Sequence, residues 1–207
     1  MPKTMELSQA MSSRICHDLA SAVGTIGNCV TLLTNSNKVI SKKAKALVDI
    51  ESEKLVYSVK LFRSAYGDSE GEKELSLVGI SKLLQDFFIL SDVKMNFHFE
   101  EGMIYLDSCI AKAAMSLAII ASTNINSTGT MDLYIRKDVD HPVELLSDGV
   151  DINLKEETMQ ILNGDVKNPI TVFNCREHYI NKLCAKKGYK LSTLKKNGFI
   201  KYDVRKA

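Results

Sequence analysis

The feature that most constrains this fold is the spacing of apolar residues along the first third of the chain. Leu7, Met11, Ile15, Leu19, Ala22, Ile26, Val30 and Leu33 follow one another at steps of three or four. At about 100° per residue, such steps draw one stripe along a single helix. Thr4 stands where an N-cap is expected, and Glu6 complements the positive helix end. The pattern runs to about Thr34, a rod of about 45 Å, and breaks at Asn35-Ser36-Asn37. A second pattern runs from about Val39 to Tyr66 with Val48, Leu55, Val59, Phe62 and Tyr66 on one face, and Gly67 is placed to terminate it. So short a link between two long helices makes an antiparallel hairpin. Two lone helices bury too little apolar surface to be stable, so the expected remedy is a homodimer in which two hairpins form a four-helix bundle.

Gly67 to Glu74 is polar and glycine-rich. It marks a boundary between a helical domain, residues 1–67, and a second domain, residues 75–207. In the second, Ser76–Leu90 reads as a helix, Val93–Phe99 as a strand and Asp107–Ser122 as an apolar helix. Gly129 to Ile135 and His141-Pro142 through Leu146 read as strands. Leu154–Leu162 and about Ile170–Lys187 read as helices, and Tyr189–Leu194 with Phe199–Val204 as a hairpin around Asn197-Gly198. The expected class is α+β, with the helical hairpin followed by an α/β sandwich whose helices cover one face of a mixed sheet.

Composition narrows the function. With 27 basic against 25 acidic residues the net charge is +2, too balanced for nucleic acid or an anionic membrane surface as the main partner. Five scattered cysteines without a Cys-x-x-Cys pair argue for reduced thiols rather than a disulfide framework. Cys175-x-x-His178 with Cys184 downstream is read as core and surface, not as a metal site. Met1-Pro2-Lys3-Thr4 has no apolar signal core and no apolar run approaches a membrane span, so a cytoplasmic location is expected.

His17 is the residue that breaks the pattern. Two positions from both Ile15 and Leu19, it is turned about 200° from each and faces away from the apolar stripe. Its neighbours on that outer face are Ser13, Arg14, Ala20, Ser21, Gly24 and Asn28. Apart from Arg14 and Asn28 these are small, which leaves room for another protein to approach. A lone surface histidine usually does nothing, and small residues often serve only close helix packing. The functional reading rests on the whole stretch Ser13-Arg14-Ile15-Cys16-His17-Asp18-Leu19.

That stretch, on a long helix hairpinned to a second and followed by an α/β sandwich, resembles the layout of bacterial sensor histidine kinases. With Val23-Gly24, Gly27-Asn28, Phe62-Arg63 and Tyr66-Gly67 added, it is similar to the alphaproteobacterial histidine phosphotransferases of the ChpT type. The sequence departs from that pattern at Ala22, where a proline is usual. The resemblance implies a degenerate Bergerat-like sandwich and a phosphoryl acceptor at His17. It also implies receiver domains as partners: that of a hybrid histidine kinase as donor, and CtrA-like and CpdR-like regulators as acceptors. The receiver would supply the aspartate and Mg2+.

A kinase domain of this fold needs a magnesium-holding asparagine, which by spacing falls near the apolar Ile120 or Ala121. Asn124 reads instead as a helix-end residue. Ser147-Asp148-Gly149-Val150-Asp151 lacks the second glycine of the adenine loop, and 137–153 has no glycine cluster for a lid. The expectation is therefore no ATP and no cofactor bound by this chain.

Imidazole is nucleophilic in its neutral form, one nitrogen attacking while the other carries the proton. Asp18 has two readings: by resemblance it accepts that proton or orients the ring, whereas about 100° away on the helix it is equally a solvated acid. Arg14, one turn before His17, either contacts phosphate or forms a surface salt bridge. The expected function is a phosphorelay histidine phosphotransferase. Its rivals are an active ATP-dependent histidine kinase and a non-catalytic protein that binds a regulator.

Overall fold

The structure is a computed structural model that describes residues 3–67, 73–165, 167–196 and 198–207. Two long helices, α1 (Lys3–Val30) and α2 (Lys38–Tyr66), form an antiparallel hairpin. Because α1 already begins at Lys3, Thr4 lies inside the helix and does not cap it. Its hydroxyl accepts from Lys182 Nζ at 2.8 Å instead. The far end of α1 stops at Val30, short of the expected Thr34, where Leu32 N–H donates to Cys29 O and Leu33 N–H to Val30 O. These are the tight three-residue bonds that close a fraying helix end. Ser41 Oγ donates to Leu33 O at 2.7 Å across the turn, and Asn37 Oδ1 caps α2 by accepting from Val39 N–H at 3.0 Å.

Gly67 does end α2, but through close approach and not through a left-handed backbone. Its φ is −70°, and a Cβ there would stand 2.3 Å from Arg63 O, so only glycine lets the chain leave at this angle. Most of the expected boundary, residues 68–72, lies outside the described residues, as do Met1 and Pro2.

Beyond it come β1 (Glu74–Ser76), α3 (Leu77–Phe88), β2 (Val93–Phe99), β3 (Tyr105–Asp107), α4 (Ser108–Ser122), β4 (Gly129–Ile135) and β5 (Val143–Gly149). They are followed by α5 (Glu156–Leu162), α6 (Cys175–Lys186), β6 (Tyr189–Lys196) and β7 (Phe199–Lys206). The main sheet has the order β2-β4-β5-β7-β6, with β2 and β4 parallel and every other pair antiparallel. Asn197, in the expected terminal turn, lies outside the described residues.

Strands β1 and β3 pair as a small separate sheet. They have three residues each, too short for an alternation to show. Strand β5 runs on to Gly149 because it keeps pairing with β4 beyond Leu146. Helix α6 starts at Cys175 and not at Ile170, since Thr171 N–H donates to Asn174 Oδ1 and Phe173 N–H to Thr171 Oγ1, a side-chain turn that competes with helix.

One face of the sheet is buried, through Met131, Leu133, Ile135, Val143, Leu145, Ile200, Tyr202 and Val204. The other carries partly exposed polar groups, among them Asp132 with Asn96 and His98, and Glu144 with Arg136 and Lys201. This is the alternation of a sheet with helices on one side. Helix α4 is apolar around its whole circumference and wholly buried from Cys109 to Ala121 except at Lys112, the pattern of a central helix. It packs on α2, α6 and the sheet, so the core continues from Leu61, Phe62 and Ala65 of α2 through α3 and α4 to the strands.

Candidate functional site

The chemistry of α1 begins at a change in its surroundings. Leu7 and Met11 are buried, Ile15 and Leu19 partly so, and the apolar stripe is thereby turned toward the rest of the chain. His17, on the opposite side, has 75% of its side chain exposed. Ser13, Ala20, Ser21, Gly24 and Asn28 are exposed as well. The outer face read from the spacing is thus an open surface, with Cβ positions at Gly24 and Gly27 meeting nothing within 4 Å. Cys16 is the exposed member of the five thiols, all of them free.

Asp18 and Arg14 belong to a different setting, half-buried beneath His17. Arg14 Nε lies 3.2 Å from both carboxylate oxygens of Asp18. A second guanidinium, that of Arg176 at the start of α6, donates to Asp18 Oδ2 through its terminal nitrogen. Asp18 Oδ1 lies 3.4 Å from His17 Nδ1, long for a hydrogen bond. Asp18 is therefore not a freely solvated acid, and Arg14 is engaged with it rather than pointing outward for phosphate. With Nδ1 toward the carboxylate, Nε2 is the ring nitrogen left facing away from it.

Arg176 is the functional candidate that the linear pattern did not supply. Its side chain is 8% exposed, and its guanidinium carbon sits 5.4 Å from the centre of the Phe62 ring and 5.9 Å from that of Tyr66, within cation–π range. Tyr66 meets Tyr179 edge-on, and the Tyr179 hydroxyl donates to Ala65 O at 3.1 Å. One signal was available: a cation in the first turn of a helix opposes the helix dipole, and such a placement needs a compensating contact. The next residue, Glu177, is buried too, and burial pushes its carboxyl above the ordinary range despite Arg176 and Arg14 nearby. Burial likewise raises the Cys175 thiol.

Around the expected nucleotide region, Ile120 and Ala121 are buried in α4. Asn124 lies just past the helix, its amide nitrogen donating to Ile120 O at 3.1 Å and to the Tyr202 hydroxyl at 3.0 Å. Asp148 and Gly149 are ladder residues of β5, and a Cβ on the opposing Gly129 would come 2.5 Å from Asp148 O. Among the described residues no three His, Cys, Asp or Glu side chains form a group able to hold a metal, and no helix is long and apolar enough to cross a membrane.

No protein-family model and no curated protein sequence matches this chain. Solved structures do. A bacterial phosphotransferase solved at 1.7 Å superposes with a TM-score of 0.84 at 18% identity, over 97% of this chain and 96% of that one. The histidine kinase AdeS of Acinetobacter baumannii gives 0.49 at 9% identity, over 92% and 97%. The catalytic domain of the histidine kinase ThkA gives 0.48 at 13%, over 64% and 95%. The first of these shows a fold shared over 97% of this chain.

Proposed function

We propose that this chain is a histidine phosphotransferase of the ChpT type, which carries a phosphoryl group on His17 between the aspartates of receiver domains. The observation that carries the reading is His17 itself: an open imidazole on a low-relief helix face, with Nδ1 toward a fixed carboxylate and Nε2 away from it. In the step, the Nε2 lone pair attacks the phosphorus of a receiver's aspartyl phosphate, the P–O bond to the aspartate breaks, and the carboxylate leaves. The proton stays on Nδ1, where Asp18 faces the positive charge that develops on the ring. The return step runs the same path backward. Phosphoryl transfer is mainly positioning and charge stabilisation, so this side needs a held nucleophile and a docking face. Ser13, Ala20, Ser21, Gly24 and Asn28 would form that face, and the receiver would bring aspartate and Mg2+.

The donor would be the receiver of a hybrid histidine kinase, and the acceptors CtrA-like and CpdR-like regulators, in the cytoplasm. The buried Ile120 and Ala121, Asn124 occupied with Tyr202, and Asp148-Gly149 tied into a strand ladder support a chain that takes phosphate from other proteins and not from ATP. A homodimer is supported by apolar side chains exposed near the hairpin turn, among them Val30, Val39, Ile40, Leu47 and Ile50.

The test is passage of labelled phosphate from a phosphorylated receiver to the wild type and to His17→Gln. Label on the wild type alone is expected. Equal label on both would remove His17 as acceptor, and labelling from ATP with Mg2+ in the absence of other proteins would make the chain a kinase.

A further inference from the structure

A carboxylate one residue after a histidine does not naturally meet it. Side chains at i and i+1 diverge by about 100° on a helix, and the free carboxylate of an exposed aspartate turns toward water. Here Asp18 Oδ1 nevertheless lies 3.4 Å from His17 Nδ1, so something other than the helix sets the direction of that carboxylate. Two guanidiniums do. Arg14 touches both oxygens, belongs to the same helix and moves with it. Arg176 comes from α6, across 158 residues of sequence, and engages Oδ2, so that Oδ1 is shared between Arg14 and the imidazole. It is itself fixed: a nearly buried side chain lying against Phe62 and Tyr66 of α2. Its Nε is buried without a hydrogen-bond partner, a cost that an apolar residue packed on the same rings would not carry.

We propose that Arg176 is a positioning residue for His17: by holding Asp18 Oδ2 it aims Oδ1 at Nδ1, fixes the proton on Nδ1 and leaves the Nε2 lone pair for phosphorus. This rests on the phosphotransfer reading above for its consequence, though not for its geometry. It gives the second domain a part in the chemistry. The nucleophile sits on α1, its orientation is set from α6, and a rotation of the hairpin against α6 would break the Asp18 contact and release the ring.

Two readouts on the full chain test this. The first is nitrogen-15 NMR of the His17 ring. The wild type is expected to hold its proton mainly on Nδ1, whereas in Arg176→Met the proton moves toward Nε2. The second is single-turnover phosphotransfer from a phosphorylated receiver. At saturating receiver, Arg176→Met is expected to slow the step about tenfold or more, with the half-saturating receiver concentration unchanged. In an Asp18→Asn background the same substitution should add nothing, because its effect passes through Asp18. Arg176→Lys, which keeps the charge and most of the packing, should recover part of the rate, and it stands in for the methionine variant should that one not fold.

Several outcomes overturn the proposal: a ring tautomer indifferent to Arg176, a loss that persists undiminished in the Asp18→Asn background, or a change confined to the half-saturating concentration, which would make Arg176 a docking residue. The failures separate cleanly. A tautomer that follows Arg176 in a protein that accepts no phosphoryl group sinks the phosphotransfer reading alone. Transfer through His17 with an unmoved tautomer sinks the positioning role alone.

Discussion

The two ends of the helical hairpin carry the same apolar periodicity and meet opposite fates. At the base, Leu7 and Met11 of α1 and Leu61, Phe62 and Ala65 of α2 are buried, Leu61 and Ala65 completely, because α3, α4 and α6 lie against them. Toward the turn, Val23, Val30, Val39, Ile40, Leu47 and Ile50 are 39% exposed or more, and nothing of this chain among the described residues covers them. The base is finished by its own chain, whereas at the tip these side chains stand exposed. His17 sits near the border. Below it are the guanidiniums and aromatic rings around Asp18, and above it the stretch of helix with exposed apolar side chains.

The strongest way to break this comparison is to charge the tip. If Leu47 and Ile50 meet a second copy, the pair Leu47→Glu and Ile50→Glu should weaken the dimer by about a hundredfold or more, read by sedimentation equilibrium. A wild type already monomeric at high micromolar concentration would show that the tip needs no partner. Next, the base: Leu61→Ala should cost about 3 kcal/mol in urea unfolding, whereas Leu47→Ala in the dissociated protein should cost about 0.5 kcal/mol or less. Similar losses at both would mean that the tip is packed in the monomer too.

Smaller still is Gly24→Ala. Since a Cβ there meets nothing within 4 Å, alanine should stabilise α1 by about 1 kcal/mol. If the face receives a receiver domain, the same change should slow transfer while raising stability. Faster or unchanged transfer would take Gly24 out of the docking surface.

The smallest effect concerns the buried acid at the base. The Glu177 carboxyl is raised by burial above its ordinary value of 4.5, so the folded state holds this proton more tightly than the unfolded chain. The associated stability is fully present below about pH 4.5 and is lost as pH rises through the raised value. Glu177→Gln should therefore melt about 2 °C higher than the wild type near pH 7 and with it near pH 4. A glutamine variant that melts below the wild type near pH 7 would reverse the assigned direction.

Much of the layout was legible from local signals. The long helices, the central apolar helix and all five strands of the main sheet announce themselves by local pattern, since a 3.6 or 2.0 repeat is a property of neighbouring residues. The outward face of His17 was legible for the same reason. What was missed has no local signal of that kind. Strands β1 and β3 are too short to alternate visibly, Thr4 looks like a cap but finds Lys182 instead, and the extent of β5 depends on how far its partners continue. Asp18, left open between a proton-accepting or orienting role and a solvated acid, and Arg14, left open between a phosphate contact and a salt bridge, turn out to be tied to one another.

By itself, then, the sequence determined that a histidine stands exposed on an otherwise amphipathic helix, because helical geometry is set residue by residue. Only the tertiary structure decided what stands behind that histidine. Arg176 reaches Asp18 because α6 packs beside α1, and a contact across 158 residues exists only once the core of α4 and the sheet has brought those helices together.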